Sequence, residues 1–239
     1  MKNPKVVILC GGKGIRLKPL TDNIPKPLVE IGGKPVLHQA LELYSQGGFN
    51  DFILCIGYKV HLIKEYFSKF PQYKIQYSDS GEDATMIKRI NDVKDLIDEK
   101  AIIAYGDTYA YLNFNGLISH HNSNNVLMTI VSSPIRSPFG LIDTKENNVV
   151  TNFKEKPILS YYMGYSIIEK EAFKYITEDL LKLKNEDGWT LFFKKMIDIE
   201  KMGSYPHEGL HLTINTHSQK KLSENIFNYY TDWNPENEE

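Results

Sequence analysis

An excess of charge of one sign is missing from this sequence: 28 Lys and Arg face 30 Asp and Glu over 239 residues, a formal net charge of −2. That balance supplies no overall basic field of the kind a dedicated nucleic-acid binder uses to displace counterions, so no nucleic-acid partner is expected. Any anionic ligand must be gripped locally. Cysteine is scarce as well, with Cys10 and Cys55 each inside an apolar run where a thiol behaves as a small hydrophobe. Neither a disulfide framework nor a structural zinc site is expected from two such residues. Long apolar runs are also missing. Val6 to Cys10 is shorter than a signal-peptide core, and no later stretch approaches bilayer-crossing length. The expectation is a soluble cytoplasmic protein with no membrane partner. Neither internal repeats nor low-complexity tracts are visible. What is present is 41% hydrophobic and 12% aromatic residues, enough to bury a sizeable core.

Val6 to Cys10 is a continuous, β-branched run that stops at Gly11-Gly12, the pattern of a strand buried on both faces and entering a loop. Leu37, Ala40, Leu41 and Tyr44 follow helical spacing, Gly47-Gly48 ends it, and Phe52 to Ile56 is a second buried strand. The alternation continues with a helix face at Leu62 to Phe70, a strand at Tyr73 to Tyr77, a helix face at Ile87 to Ile97, and a strand at Ala101 to Tyr105 that runs into Gly106-Asp107. This predicts an α/β fold with a Rossmann-like, mainly parallel (mixed) sheet, helices on both faces, and ligands at the carboxyl ends of the strands. After a strand at Val126 to Val131 the rhythm breaks into short strand-like pieces at 140–143, 149–153 and 165–168, then helical patterns at 172–183 and 191–199, a strand at 211–214 and a last helix ending near Tyr230. The expected organisation is a single domain over 1–230, with a nucleotide-binding core at 1–131 and a small acceptor-binding or lid part in 132–230. Residues 231–239 are polar and acidic and are expected to form a frayed tail.

The chemistry concentrates after the first strand. Gly11, Gly12 and Gly14 let backbone N–H groups approach phosphate oxygens, and Arg16 adds a planar fork able to hold two of them. The loop is not a Walker motif, because Gly14 stands where Ser or Thr would be needed, and Leu17 replaces the third glycine of a dinucleotide fingerprint. Pro25 and Pro27 flank Lys26 and fix the backbone on both sides of it, which aims a cation with little entropy left to lose. Seven histidines do not read as a metal site: His207 and His211 are four apart, but Pro206 and Gly209 oppose one helix presenting both. Tyr161, Tyr162 and Trp189 are candidates to stack on a base or line an acceptor pocket. Tyr109 and Tyr111 are candidates for exposed contacts.

Taken together, Gly11-Gly12-Lys13-Gly14-Ile15-Arg16-Leu17, Pro25-Lys26-Pro27-Leu28-Val29 and Gly33-Lys34-Pro35-Val36-Leu37 resemble the signature of the sugar-phosphate nucleotidyltransferases. Similarity to the glucose-1-phosphate cytidylyltransferase branch extends through Gly57-Tyr58-Lys59, Lys88-Arg89, Tyr105-Gly106-Asp107, Phe139-Gly140, Phe153 to Pro157 and His207-Glu208-Gly209. The resemblance implies in-line attack of an acceptor phosphate on the α-phosphorus of CTP, with release of pyrophosphate and no covalent enzyme intermediate. It implies nucleotide contacts from Leu9, Gly11, Gly12 and Gly14, with Arg16 and Lys26 both binding the triphosphate and serving catalysis. Asp107 and Asn215 would hold Mg2+, with Mn2+ as the alternative metal. Gly140, Glu155, Lys156 and Gly164 would meet the acceptor, and a homo-oligomer is left open.

Three departures from the branch concern the acceptor and the metal. Asp83 to Arg89 lacks the two glycines of a Thr-Gly-Gly segment; Met163-Gly164-Tyr165 stands in place of an Asn-Gly-Gly that orients sugar hydroxyls; and Asn215 stands in place of a metal-binding Asp. Methionine cannot hydrogen-bond a hydroxyl as asparagine does, and an amide oxygen is a weaker ligand for a hard cation. The preferred expectation is therefore transfer to L-glutamine phosphate, giving CDP-L-glutamine for capsular phosphoramidate synthesis. The alternatives are a glucose-1-phosphate or other sugar-1-phosphate cytidylyltransferase and, in another class, a non-catalytic nucleotide-binding regulatory subunit.

Overall fold

The computed structural model describes residues 3–184 and 187–232. Seven strands form the central sheet: β1 (Lys5–Leu9), β2 (Asp51–Ile56), β3 (Lys74–Asp79), β4 (Lys100–Tyr105), β5 (Met128–Arg136), β6 (Ile158–Glu169) and β7 (Met202–Pro206). Their order is β7-β5-β6-β4-β1-β2-β3. β6 alone among them runs against its neighbours, pairing antiparallel with both β4 and β5, while the remaining pairs are parallel. The sheet is mixed and mainly parallel, as the alternating pattern implied.

Successive residues of β1 explain why both faces are covered. Val6 and Ile8 enter one core with Leu37, Leu41 and Tyr44 of helix α1 (Val36–Gln46), Ile63 of α2 (Val60–Phe67) and Leu117 of α4 (Phe114–Asn122). Val7 enters the other with Ile87 and Ile90 of α3 (Met86–Asn91), Leu180 of α5 (Glu178–Lys182) and Phe192 and Met196 of α6 (Asp187–Asp198). A period of two in the strand thus divides one apolar run between two helical layers. Cys10 and Cys55 are buried free thiols, and burial pushes the Cys55 pKa up to about 12. A third, smaller cluster joins Leu17, Val29, Tyr109, Leu212 and Ile214 to the last helix, α7 (His217–Asp232).

Several expected boundaries move. Only 86–91 of the expected 87–97 helix is α-helical, and Lys94–Leu96 is a 3-10 turn that keeps Val93 and Ile97 buried. The 172–183 pattern splits into a 3-10 segment, Lys170–Tyr175, and α5, because Ile176 is extended between them. The piece at 165–168 is the end of β6, whose Ile167 and Ile168 are fully buried in the middle of the sheet. β6 and β7 therefore belong to the central sheet, and what projects from it is an arm in which Leu141–Thr144 pairs with Val150–Lys154. Tyr109 is buried in the third cluster, leaving Tyr111 as the exposed member of that pair. Thr231 and Asp232 belong to α7, and 233–239 of the expected tail lie outside the described residues. No helix of the described residues is long and apolar enough to cross a membrane.

Candidate active site

A cleft of about 680 Å³ opens where β1 and β4 end. Leu9, Gly11, Gly12, Gly14, Arg16, Lys26, Asp107 and Asn215, the expected nucleotide and metal residues, all line it. Two close approaches shape the glycine loop. Gly14 has φ +61°, and a Cβ there would lie 3.0 Å from both the Lys26 Cβ and the Thr21 methyl. At Gly11 a Cβ would fall 2.1 Å from Arg89 Nη1, so the loop can lie on this guanidinium only as glycine.

The centre of the cleft is a polar knot. Gly106-Asp107 follows β4, and Thr108–Ala110 then pairs antiparallel with His211–Thr213, which carries Asn215 back to Asp107. The backbone N–H of Ile214 donates to the Asp107 carbonyl at 3.1 Å. Lys26 forms an ion pair with the Asp107 carboxylate and also donates to Asn215 Oδ1 at 2.8 Å. Arg16 donates to the same amide oxygen at 3.0 Å. Two protein oxygens thus converge on one ammonium, while two cations flank the space above the glycine loop. Such a constellation suits a ligand that carries several negative charges and a hard cation of its own.

Arg89 was not singled out from sequence as a site residue, and it organises one wall. Its buried guanidinium donates to the carbonyls of Ile56 (2.6 Å), Gly81 (2.7 Å), Gly11 (3.2 Å) and Glu82 (3.4 Å), tying the end of β2, the glycine loop and the 81–82 turn together. Lys13 crosses the same gap to Asp83 at 2.7 Å. The available signal was an arginine between Ile87 and Ile90 on a helix face otherwise buried. Tyr105 and Phe193 line the opposite wall and were likewise missed, whereas Tyr162 and Trp189 line it as candidates.

The expected acceptor residues do not share this cleft. Lys156 is 65% exposed at the base of the arm with φ +41°, and Glu155 approaches the Gly140 position 3.4 Å from where a Cβ would stand. Gly164, with φ +87°, lies against the Tyr105 ring, where a Cβ would be 2.9 Å from Cδ2. Met163 is a core residue with 3% exposure and does not line the cleft.

His211 carries a pH dependence that follows from its place on the strand leading to Asn215. Burial, reinforced by the neighbouring His207, lowers its pKa from 6.5 to about 4. Between those values the unfolded chain binds a proton that the folded chain refuses, so stability falls as pH drops from 6.5 towards 4 and this contribution levels off below that. Thermal melting across that window is expected to show a smaller acid-induced drop for His211→Gln than for the wild type. Parallel curves would remove His211 from the account.

Residues 5–210 match the nucleotidyl transferase family. The chain is 33% identical to the probable glucose-1-phosphate cytidylyltransferase of Bacillus subtilis (strain 168), over 89% of this chain and 92% of that one. It is 28% identical to the glucose-1-phosphate cytidylyltransferase of Salmonella typhimurium, over 93% and 95%. Among solved structures, a putative glucose-1-phosphate thymidylyltransferase from Bacillus anthracis superposes with a TM-score of 0.75 at 16% identity, covering 96% of both chains. HddC from Yersinia pseudotuberculosis, complexed with GMP-PN, superposes with a TM-score of 0.70 at 23% identity, covering 94% of this chain and all of that one.

Proposed function

The chain belongs to the nucleotidyl transferase family, and from that premise we propose that it transfers CMP from CTP to the phosphate of a small metabolite, L-glutamine phosphate, releasing pyrophosphate. The choice of CTP rests on the cytidylyltransferases among its relatives. The observation that carries the acceptor is the wall beyond Asp107 and Asn215, which consists of Tyr105, Tyr162, Trp189, Thr190 and Phe193. Among the described residues of that wall there is no carboxylate or side-chain amide to pair with ring hydroxyls, and Met163 is turned into the core. With only the Tyr, Thr and Trp polar groups there, a hexose has fewer partners for its ring hydroxyls, and each hydroxyl left unpartnered costs about 1–3 kcal/mol.

In this reading an oxygen of the acceptor phosphate forms a bond to the α-phosphorus as the bond from that phosphorus to the β-phosphate oxygen breaks. Backbone N–H groups of Gly11 and Gly12 hold the nucleotide, and Arg16 and Lys26 neutralise the charge that grows on the phosphate oxygens. Asp107 and Asn215 fit a divalent cation: their oxygens already meet on the Lys26 ammonium, and phosphate oxygens and water can supply the other positions magnesium needs. Among the described residues no group of three or more His, Cys, Asp or Glu side chains is placed to hold a metal ion. When bound, magnesium screens the triphosphate and lowers the repulsion between the two anions. With a nucleotide bound, Lys26 would exchange the Asp107 carboxylate for phosphate oxygens.

A second reading, transfer to a sugar 1-phosphate, is favoured by the names of the two cytidylyltransferase relatives. The two are separated by comparing kcat/KM for L-glutamine phosphate and glucose 1-phosphate with CTP and magnesium. L-Glutamine phosphate is expected to win by about a hundredfold or more, equivalent to roughly 3 kcal/mol. Efficient use of glucose 1-phosphate would move the protein to the second reading.

A further inference from the structure

The arm that projects from the sheet has no core of its own. From Pro134 to Tyr161 no residue is buried, the longest stretch without one among the described residues. The segment is nevertheless regular. The outer half of β5 pairs with the start of β6, Ile135 opposite Leu159, and beyond them Leu141–Thr144 pairs with Val150–Lys154. A two-stranded ribbon alone is marginally stable in water and needs a further layer on its apolar face.

Register builds that face. Residues opposite one another in an antiparallel pair share a face, as do residues two apart on one strand. Ile135 and Leu159 therefore lie together with Tyr161 at the base of the arm. In the outer ribbon Phe153 stands opposite Ile142, and Val150 stands opposite Thr144. The irregularity between Val150 and Asn152 brings Val150 onto the Ile142 and Phe153 face, where plain alternation would send it to the other. These six side chains are between 39% and 61% exposed, roughly 500 Å² of apolar surface on one arm, and such a cluster marks an interaction site where single exposed side chains do not.

We infer that the arm is the contact through which two copies of this chain pair about a two-fold axis. Together with the polar residues between the six, the arm can supply the roughly 800 Å² that each partner buries in a stable dimer. Charge points to the same occupant. The segment from Pro134 to Tyr161 holds four Lys and Arg interspersed with three Asp and Glu. An anionic membrane or a nucleic acid calls for a clear excess of cations, whereas a surface carrying both signs can complement its own copy. A face laid on its own copy about a two-fold axis is used up in the pair, so association stops at two.

Sedimentation velocity of the full chain at concentrations up to about 100 µM is expected to show a particle of twice the 27.5 kDa chain mass. Ile142→Asp combined with Val150→Asp puts carboxylates into the contact, and each enters it twice in a symmetric pair, so the dissociation constant is expected to rise by about a hundredfold or more. Ile135→Asp combined with Leu159→Asp does the same at the base of the arm. Leu222→Asp, at an exposed apolar position on α7, is the control and should leave the pair intact. Melting temperature identifies an arm variant that fails to fold, in which case the other arm variant decides. A wild type that stays monomeric at about 100 µM, a particle larger than two copies, or a pair that a folded arm variant leaves intact overturns the inference. A monomer that instead binds anionic vesicles, and loses that binding in the arm variants, overturns it in favour of a membrane contact.

Discussion

Asp107→Ala is expected to lower kcat by about a thousandfold or more and to leave the melting temperature nearly unchanged. Asp107 supplies the one carboxylate among the described residues that line the cleft, so its loss removes the main anionic ligand for a metal and leaves the phosphate charges unscreened. The fold should survive for a local reason. What holds this segment is the Asp107 carbonyl, which accepts from Ile214 N–H, together with the Thr108–Ala110 ribbon, and alanine keeps both. A variant that retained more than about a tenth of wild-type kcat, a loss below roughly 1.4 kcal/mol, would remove Asp107 from the chemistry.

Lys26→Ala is expected to lower kcat by about a hundredfold or more while moving KM for CTP far less. The side chain is 14% exposed and is anchored by Asp107 and Asn215 before any ligand arrives, so its orientation is set in advance. A cation held ready for charge that develops in the transition state contributes more there than to ground-state binding. Steady-state kinetics with saturating acceptor separate the two constants. An effect confined to KM would make Lys26 a nucleotide-binding residue only.

The parts of this site that sequence reveals are those built by short stretches of chain. Val6 to Cys10 is apolar on both faces and ends in glycines, Pro25 and Pro27 bracket Lys26, and Asp107 follows a buried run; each pattern is complete within a few residues. The opposite wall is not legible in that way, because Tyr105, Tyr162 and Phe193 meet only through β4 pairing with β6 and α6 docking over them. β6 itself is hard to see. Its first residues, Ile158 and Leu159, are exposed and only its second half carries the buried apolar signature. Arg89 leaves no side-chain pattern at all, since its partners are four backbone carbonyls from three separate segments. The acceptor residues expected on the arm, Gly140, Glu155 and Lys156, rest on resemblance alone, and none of them is among the residues that line the cleft around Lys26 and Asp107.

The fate of the α-phosphate tests the central claim most directly. CTP labelled at that phosphate, incubated with magnesium and L-glutamine phosphate, is expected to pass its label to the acceptor with one pyrophosphate released per transfer. The other three nucleoside triphosphates, run in parallel, should be poorer donors. Binding of CTP without any transfer to L-glutamine phosphate or to sugar 1-phosphates would contradict the account and leave a nucleotide-binding subunit in its place.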